Sequence, residues 1–233
     1  LDKLRLSWLE ATGERKLAIL DSQLEEIKKQ ILIMGGYVEK AMTDVVSALM
    51  SRNVENFASI HQIEKKINED HKKIDNACMG FLAKQGPVAK DLRMVLAIIK
   101  INTDLERMGD QAVNIAYTGK DYLGRKPLQN LKEIARMSEI VRDMVRQALD
   151  SFVQSNTQAA QKVIEMDDSV DEIKNSVLKQ MAAHIKQNPE DTEAALDIIL
   201  MARNFERLGD HATNIAEDVI FVCTGKDIRH GGA

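Results

Sequence analysis

A register that survives for about a hundred residues constrains this chain more than any other feature. Ile31, Met34, Val38, Ala41 and Val45 are answered, at a constant offset of 103, by Ile134, Met137, Val141, Met144 and Ala148. The same offset carries Asn53 to Asn156, and Ile60, Ile63, Ile67 and Ile74 to Val163, Met166, Val170 and Val177. Asn188-Pro189 then stands in place of Gly86-Pro87 and the offset falls to 100. In that last register the stretch from Glu106 to Ala116 returns as Glu206 to Ala216, differing only at 108/208, 111/211 and 113/213. Chance helical periodicity does not keep step over such a distance, so the chain is an internal duplication.

The spacing inside each copy is helical. Leu24, Ile27, Ile31, Met34, Val38, Ala41, Val45 and Ala48 alternate steps of three and four, the seam of a helix packed in a bundle. Gly35 and Gly36 mark a kink or a close helix approach within it. Asn53 reads as the N-cap of a second helix with its seam through Phe57, Ile60, Ile63, Ile67, Ile74, Cys78 and Phe81. Gly86-Pro87 ends that helix and places Pro87 in the first turn of a third, which runs to about Tyr117 with Gly119 as its C-terminal cap. The expected fold is all-α: two tandem antiparallel three-helix bundles, residues 17–119 and 128–224. Residues 1–16 form an extension of open structure, 120–127 a linker and 225–233 a tail.

Composition agrees where it bears on the question. Only 4% of residues are aromatic and 3 are proline, leaving little for a sheet to use. A net charge of −4 speaks against nucleic-acid binding through an overall basic surface. No stretch resembles a secretory signal, and apolar runs such as Val95 to Ile99 are too short to span a bilayer. Cys78 and Cys223 both fall in helical apolar patterns, which predicts buried, reduced thiols and a cytosolic compartment.

Chemistry enters with the carboxylates of the third helix. At about 100° per residue, Asp110 lies about 40° from Glu106, and Val95, Ile99 and Val113 lie within about 20° of it. Both acids therefore share a stripe with core-type residues, while Lys100, Arg107 and Gln111 turn toward solvent. Glu206 and Asp210 repeat this, with Arg207 and His211 turned away. Acid-x-x-x-acid pairs arise by chance roughly five or six times in a chain with 36 acids, and most are solvated. Duplication, an apolar stripe and the shared Gly109 and Gly209 distinguish these two. The middle helices supply partners: Asp167 and Asp171 in the second copy, Glu64 and Asn68 in the first. Oxygen-only sets of this kind suit iron, manganese, magnesium or zinc. His71 and Asp75 lie on the line of Glu64 but are weak ligand candidates, and His211 points away from Asp210. No Glu-x-x-His pair, phosphate loop or CxxC is present, so no catalytic constellation is expected.

The doubled Glu-Arg-[Met/Leu]-Gly-Asp-x-Ala-x-Asn-Ile-Ala motif, closing two tandem three-helix repeats, resembles the PhoU family. Met34-Gly35-Gly36-Tyr37-Val38-Glu39, Asp91-Leu92-Arg93 and Gly225-Lys226-Asp227-Ile228-Arg229-His230 support it, and the match covers about residues 17–231. The resemblance implies a non-enzymatic cytoplasmic regulator of phosphate uptake and signalling. Such a protein couples the ATPase component of a phosphate ABC transporter to a sensor histidine kinase and represses the phosphate-starvation response when phosphate is plentiful. It further implies peripheral association with the inner face of the cell membrane through partners, and a homodimer. Multinuclear metal clusters in the family imply metal ligands among Glu106, Asp110, Glu206, Asp210, Asp167, Asp171, Glu64 and Asn68, with Asn68 a departure in the first half. Two other readings stay open: a metal-dependent enzyme using the same carboxylates, and a purely structural helical scaffold.

Overall fold

The first helix, α1, runs unbroken from Asp2 to Ser51. The computed structural model describes residues 2–128 and 130–228, with side chains described from residue 22 onward. No helix boundary falls at the edge of the expected 1–16 extension, and Gly35 and Gly36 do not interrupt α1. A Cβ at Gly35 would lie 2.2 Å from Leu149 Cδ1, so this glycine serves a close helix approach.

A short 3₁₀ turn, Val54–Phe57, follows; Asn53 caps it by accepting the Glu55 N–H. Helix α2 spans Ala58–Gln85 and closes on Gly86, whose φ of 55° lets its N–H reach the Leu82 carbonyl. Helix α3 is Ala89–Leu123, preceded by extended Val88. Pro87 therefore sits in the connector, not in the first turn, where its missing N–H leaves no ladder bond unmade. The expected end of this helix near Gly119 is also corrected. Gly119 is buried mid-helix, where a Cβ would stand 2.8 Å from Leu49 Cδ2 and 3.0 Å from Phe57 Cζ. It is a point of contact between helices, and α3 consumes the first residues of the expected linker. Buried Tyr122 anchors the rest, its hydroxyl accepting the Leu128 N–H at 2.8 Å.

The second copy consists of α4 (Leu131–Gln154), α5 (Thr157–Gln187), a 3₁₀ turn (Pro189–Asp191) and α6 (Thr192–Thr224). Asn156 caps α5 by accepting the N–H groups of both Gln158 and Ala159. Cys78 is buried, and burial pushes its thiol up to about 12. Cys223 departs from expectation: it is exposed on the last turn of α6, with Sγ 3.4 Å from the Ser155 carbonyl. Arg229 and His230 of the tail lie outside the described residues.

Each repeat packs its three helices on one another, and the repeats join through α3 on α6 and α1 on α4. These four helices form a closed central ring, with α2 and α5 on its flanks. Cross-joint pairs descend along one helix as they climb the other: Lys100 with Asp218, Asp104 with His211 and Asn214, Arg125 with Glu193 and Asp197. The α3–α6 contact is thus antiparallel. The buried apolar side chains of both copies form one continuous core.

Candidate functional site

The motif carboxylates lie on the outer seams of the central ring, where α3 meets α2 and α6 meets α5. The fully buried face of α3 runs through Ile98, Ile101, Leu105, Met108, Ala112 and Ile115. Glu106 and Asp110 flank that face, at 24% and 38% exposure. Such a position is neither core nor free surface, so the charge of each acid must be met by neighbours.

In the second seam four carboxylates gather. Asp167 and Asp171 stand one turn apart on α5; Glu206 and Asp210 stand one turn apart on α6. Burial, with Asp210, Asp171, Glu206 and Asp168 around it, pushes the Asp167 carboxyl up to about 6. Asp210 is raised as well, first by burial and then by Glu206 and Asp171, with His211 and Lys174 pulling the other way. Asp167 Oδ1 is buried without a hydrogen-bond partner. Gly209 makes room for it: a Cβ there would come within 3.3 Å of that oxygen. Lys174, one turn past Asp171, places its Nζ 2.7 Å from Asp171 Oδ1 and 2.8 Å from Glu206 Oε1, bridging the helices. Both bonds hold its ammonium above the usual lysine range.

The first seam has the same backbone plan and different chemistry. Asn68 donates its amide to the Glu64 carboxylate, so the middle helix satisfies itself. Arg107 is exposed, as its position on the helical wheel predicts, yet its guanidinium reaches back to the acids of its own helix. Its Nε lies 3.5 Å from Glu106 Oε2 and its Nη1 3.6 Å from Asp110 Oδ2. A long side chain leaving the solvent face folds back along the helix, and the wheel angle of its Cβ does not record this. His71, the counterpart of Lys174, pairs with Asp75 at 3.2 Å, and Asn102 from α3 donates to that same Asp75 at 2.9 Å. Gly109 faces Ile67, whose Cδ1 would be 3.0 Å from an added Cβ.

His211 lies away from the seam, with Nδ1 2.8 Å from Asp104 Oδ1 across the joint. Lys100, also read as solvent-facing, meets Asp218 at 3.3 Å and the Phe221 ring at 5.4 Å. Among the described residues no group of three or more His, Cys, Asp and Glu side chains closes on a single point as a preformed metal cage. The second seam nonetheless fits a cation. Its donors are hard oxygens, one buried oxygen is unpartnered, and an ammonium is already drawn between the helices. The first seam fits less well, its carboxylates being met by Asn68 and Arg107. Lys174 is readable in the sequence, since it lies at i+3 from Asp171 on the same face.

Two tandem three-helix units, joined along their third helices and carrying the Glu-Arg-x-Gly-Asp motif on each outer seam, define a duplicated helical-repeat protein. Residues 31–118 and 134–219 each match the PhoU domain. The chain belongs to the PhoU family. It is 35% identical over 214 residues to a phosphate-specific transport system accessory protein PhoU homolog of Pseudomonas putida, covering 91% of this chain and 83% of that protein. A homolog of the same description from Aquifex aeolicus is 36% identical over 211 residues, covering 91% and 96%. The crystal structure of PhoU from Pseudomonas aeruginosa superposes with a TM-score of 0.85 at 33% identity, covering 88% of this chain and 99% of that one.

Proposed function

We propose that this protein is a non-enzymatic regulator of phosphate uptake and signalling that links a phosphate ABC transporter to a sensor histidine kinase and keeps the starvation response off when phosphate is plentiful. The observation that carries the reading is the pair of PhoU domains, residues 31–118 and 134–219, in a chain similar over 91% of its length to phosphate-specific transport system accessory proteins. The surface suits a protein that works by contact. Leu92 and Leu96 on α3, and Leu196 and Leu200 on α6, are exposed one turn apart on helices that also form the joint between repeats. No helix among the described residues is long and apolar enough to cross a membrane. Membrane association in this reading therefore comes through the transporter, from the cytoplasmic side.

Metal binding belongs to the same proposal. Asp167, Asp171, Glu206 and Asp210 would hold a cation in the second seam, and Glu64, Asn68, Glu106 and Asp110 a weaker one in the first. Iron, manganese, magnesium or zinc would supply positive charge that offsets the carboxylates and pins the middle helix to the third. The repeats themselves contribute the oxygen donors and the rigid spacing between them.

Deleting the gene in its own host tests the regulatory reading. Phosphate-starvation genes are expected to fire in phosphate-rich medium, and expression unchanged from the parent strain would refute it. An enzyme built on the same carboxylates would show a turnover that Glu206→Ala abolishes, whereas the proposed regulator has none to lose.

A further inference from the structure

Of the eight positions read as ligands, only those of the second seam have a fixed cation lodged between their two helices. We propose that Lys174 is the resident counter-cation of the α5–α6 seam, and that a divalent ion binds there by displacing its ammonium. This rests on the metal reading above and assigns a further residue to that site.

Three observations carry it. Lys174 Nζ is shared between a carboxylate of α5 and one of α6, at 2.7 Å and 2.8 Å, and so occupies the electrostatic position that a bridging ion needs. The side chain has room to leave. A groove of about 310 Å³ lined by Leu178, Ile199, Ala202 and Arg203 opens beside Lys174 and Glu206, and its apolar walls accept the lysine stem while the head reaches water. The first copy lacks the device: its counterpart His71 pairs with Asp75, and Asn68 stands where Asp171 would offer a second charge.

Four carboxylates face one ammonium in the second seam, so the lysine stabilises the metal-free state and competes with the loaded one. A divalent ion adds charge and several ligands at once, but it must break both Lys174 bonds to do so. Affinity is thereby held below what four carboxylates would otherwise give, and loading releases a positive side chain into the groove. Occupancy of the seam then changes the surface between α5 and α6.

Calorimetric titration of chelator-treated full-length protein with Mn²⁺ tests this, comparing wild type with Lys174→Gln, Lys174→Ala and Lys174→Arg, and using Asp210→Asn to assign the site. The Gln and Ala variants are expected to bind Mn²⁺ roughly tenfold more tightly. The Arg variant should keep the wild-type affinity, and Asp210→Asn should weaken binding. Melting of the same metal-free samples separates a merely structural role: lower melting temperatures for Gln and Ala with unchanged Mn²⁺ affinity would overturn the inference and leave the metal reading standing. Mn²⁺ binding by neither wild type nor any variant would overturn both.

Discussion

The two outer seams share a backbone and differ in how their charge is met. In the first, Asn68 satisfies Glu64, Arg107 folds onto Glu106 and Asp110, and Gly109 packs on Ile67. In the second, Asp167 and Asp171 oppose Glu206 and Asp210, Gly209 makes room for a buried Asp167 oxygen, and Lys174 bridges the helices. Duplication thus preserved an acid at three of the four positions, while the substitutions at 68/171 and 71/174 separate a seam whose charge is met locally from one short of positive charge. A motif repeated in sequence is not, on that ground, a site repeated in chemistry.

The largest effect should come from Gly109→Leu. A Cβ there already meets Ile67, so a full side chain must push α2 from α3 and should cost about 3 kcal/mol in urea denaturation. Gly209→Ala should cost less, because its single added methyl meets only the Asp167 oxygen closely, at 3.3 Å, with Val170 and Met144 at ordinary distance. Equal losses at the two glycines would erase the contrast between an apolar and a charged seam.

Asp167→Asn comes next. The folded protein holds this carboxyl at about 6 against an ordinary value of 3.8, so the folded state binds the extra proton. Its contribution is full below pH about 4 and is lost as pH rises toward about 6, leaving the ionised group destabilising at neutral pH. With solvent screening discounted, the Asn variant should be more stable at pH 7 by on the order of 1 kcal/mol, and less steeply dependent on pH in that window. Denaturant melts across pH on metal-free protein give both answers, and an unchanged profile for Asp167→Asn would remove the charge excess from the account.

Helix starts extend the comparison. Asn156 accepts two backbone N–H groups and Asn53 one, so Asn156→Ala should cost about 1 kcal/mol and Asn53→Ala less. The smallest effect falls to arginine: Arg107→Ala should lose a few tenths of a kcal/mol by thermal melting, and Arg207→Ala, with no ion pair among the described residues, nothing measurable.

Much of this fold is legible in the amino-acid sequence, for identifiable reasons. Steps of three and four set the buried seam from Leu24 to Ala48, and Asn53 and Asn156 mark helix starts, because local spacing and capping determine both. Gly119 is misread since a glycine that stops a helix and one that admits Leu49 and Phe57 look alike until the neighbouring helices are known. Lys100 and Asp104 are unreadable as joint residues for the same reason: Asp218 and His211 lie in the other repeat. Helical spacing and repeat offset suffice to bring Asp167, Asp171, Glu206 and Asp210 to one seam. Lys174 carries a fainter mark than the acids, its i+3 spacing from Asp171, because a base is not itself a metal ligand.

Anomalous diffraction from crystals grown with Mn²⁺ tests the central contrast most directly. At limiting metal the account predicts density between α5 and α6, touching the carboxylates of Asp167, Asp171, Glu206 and Asp210, before any appears between α2 and α3. Density of equal strength in both seams, or in the first alone, would contradict it.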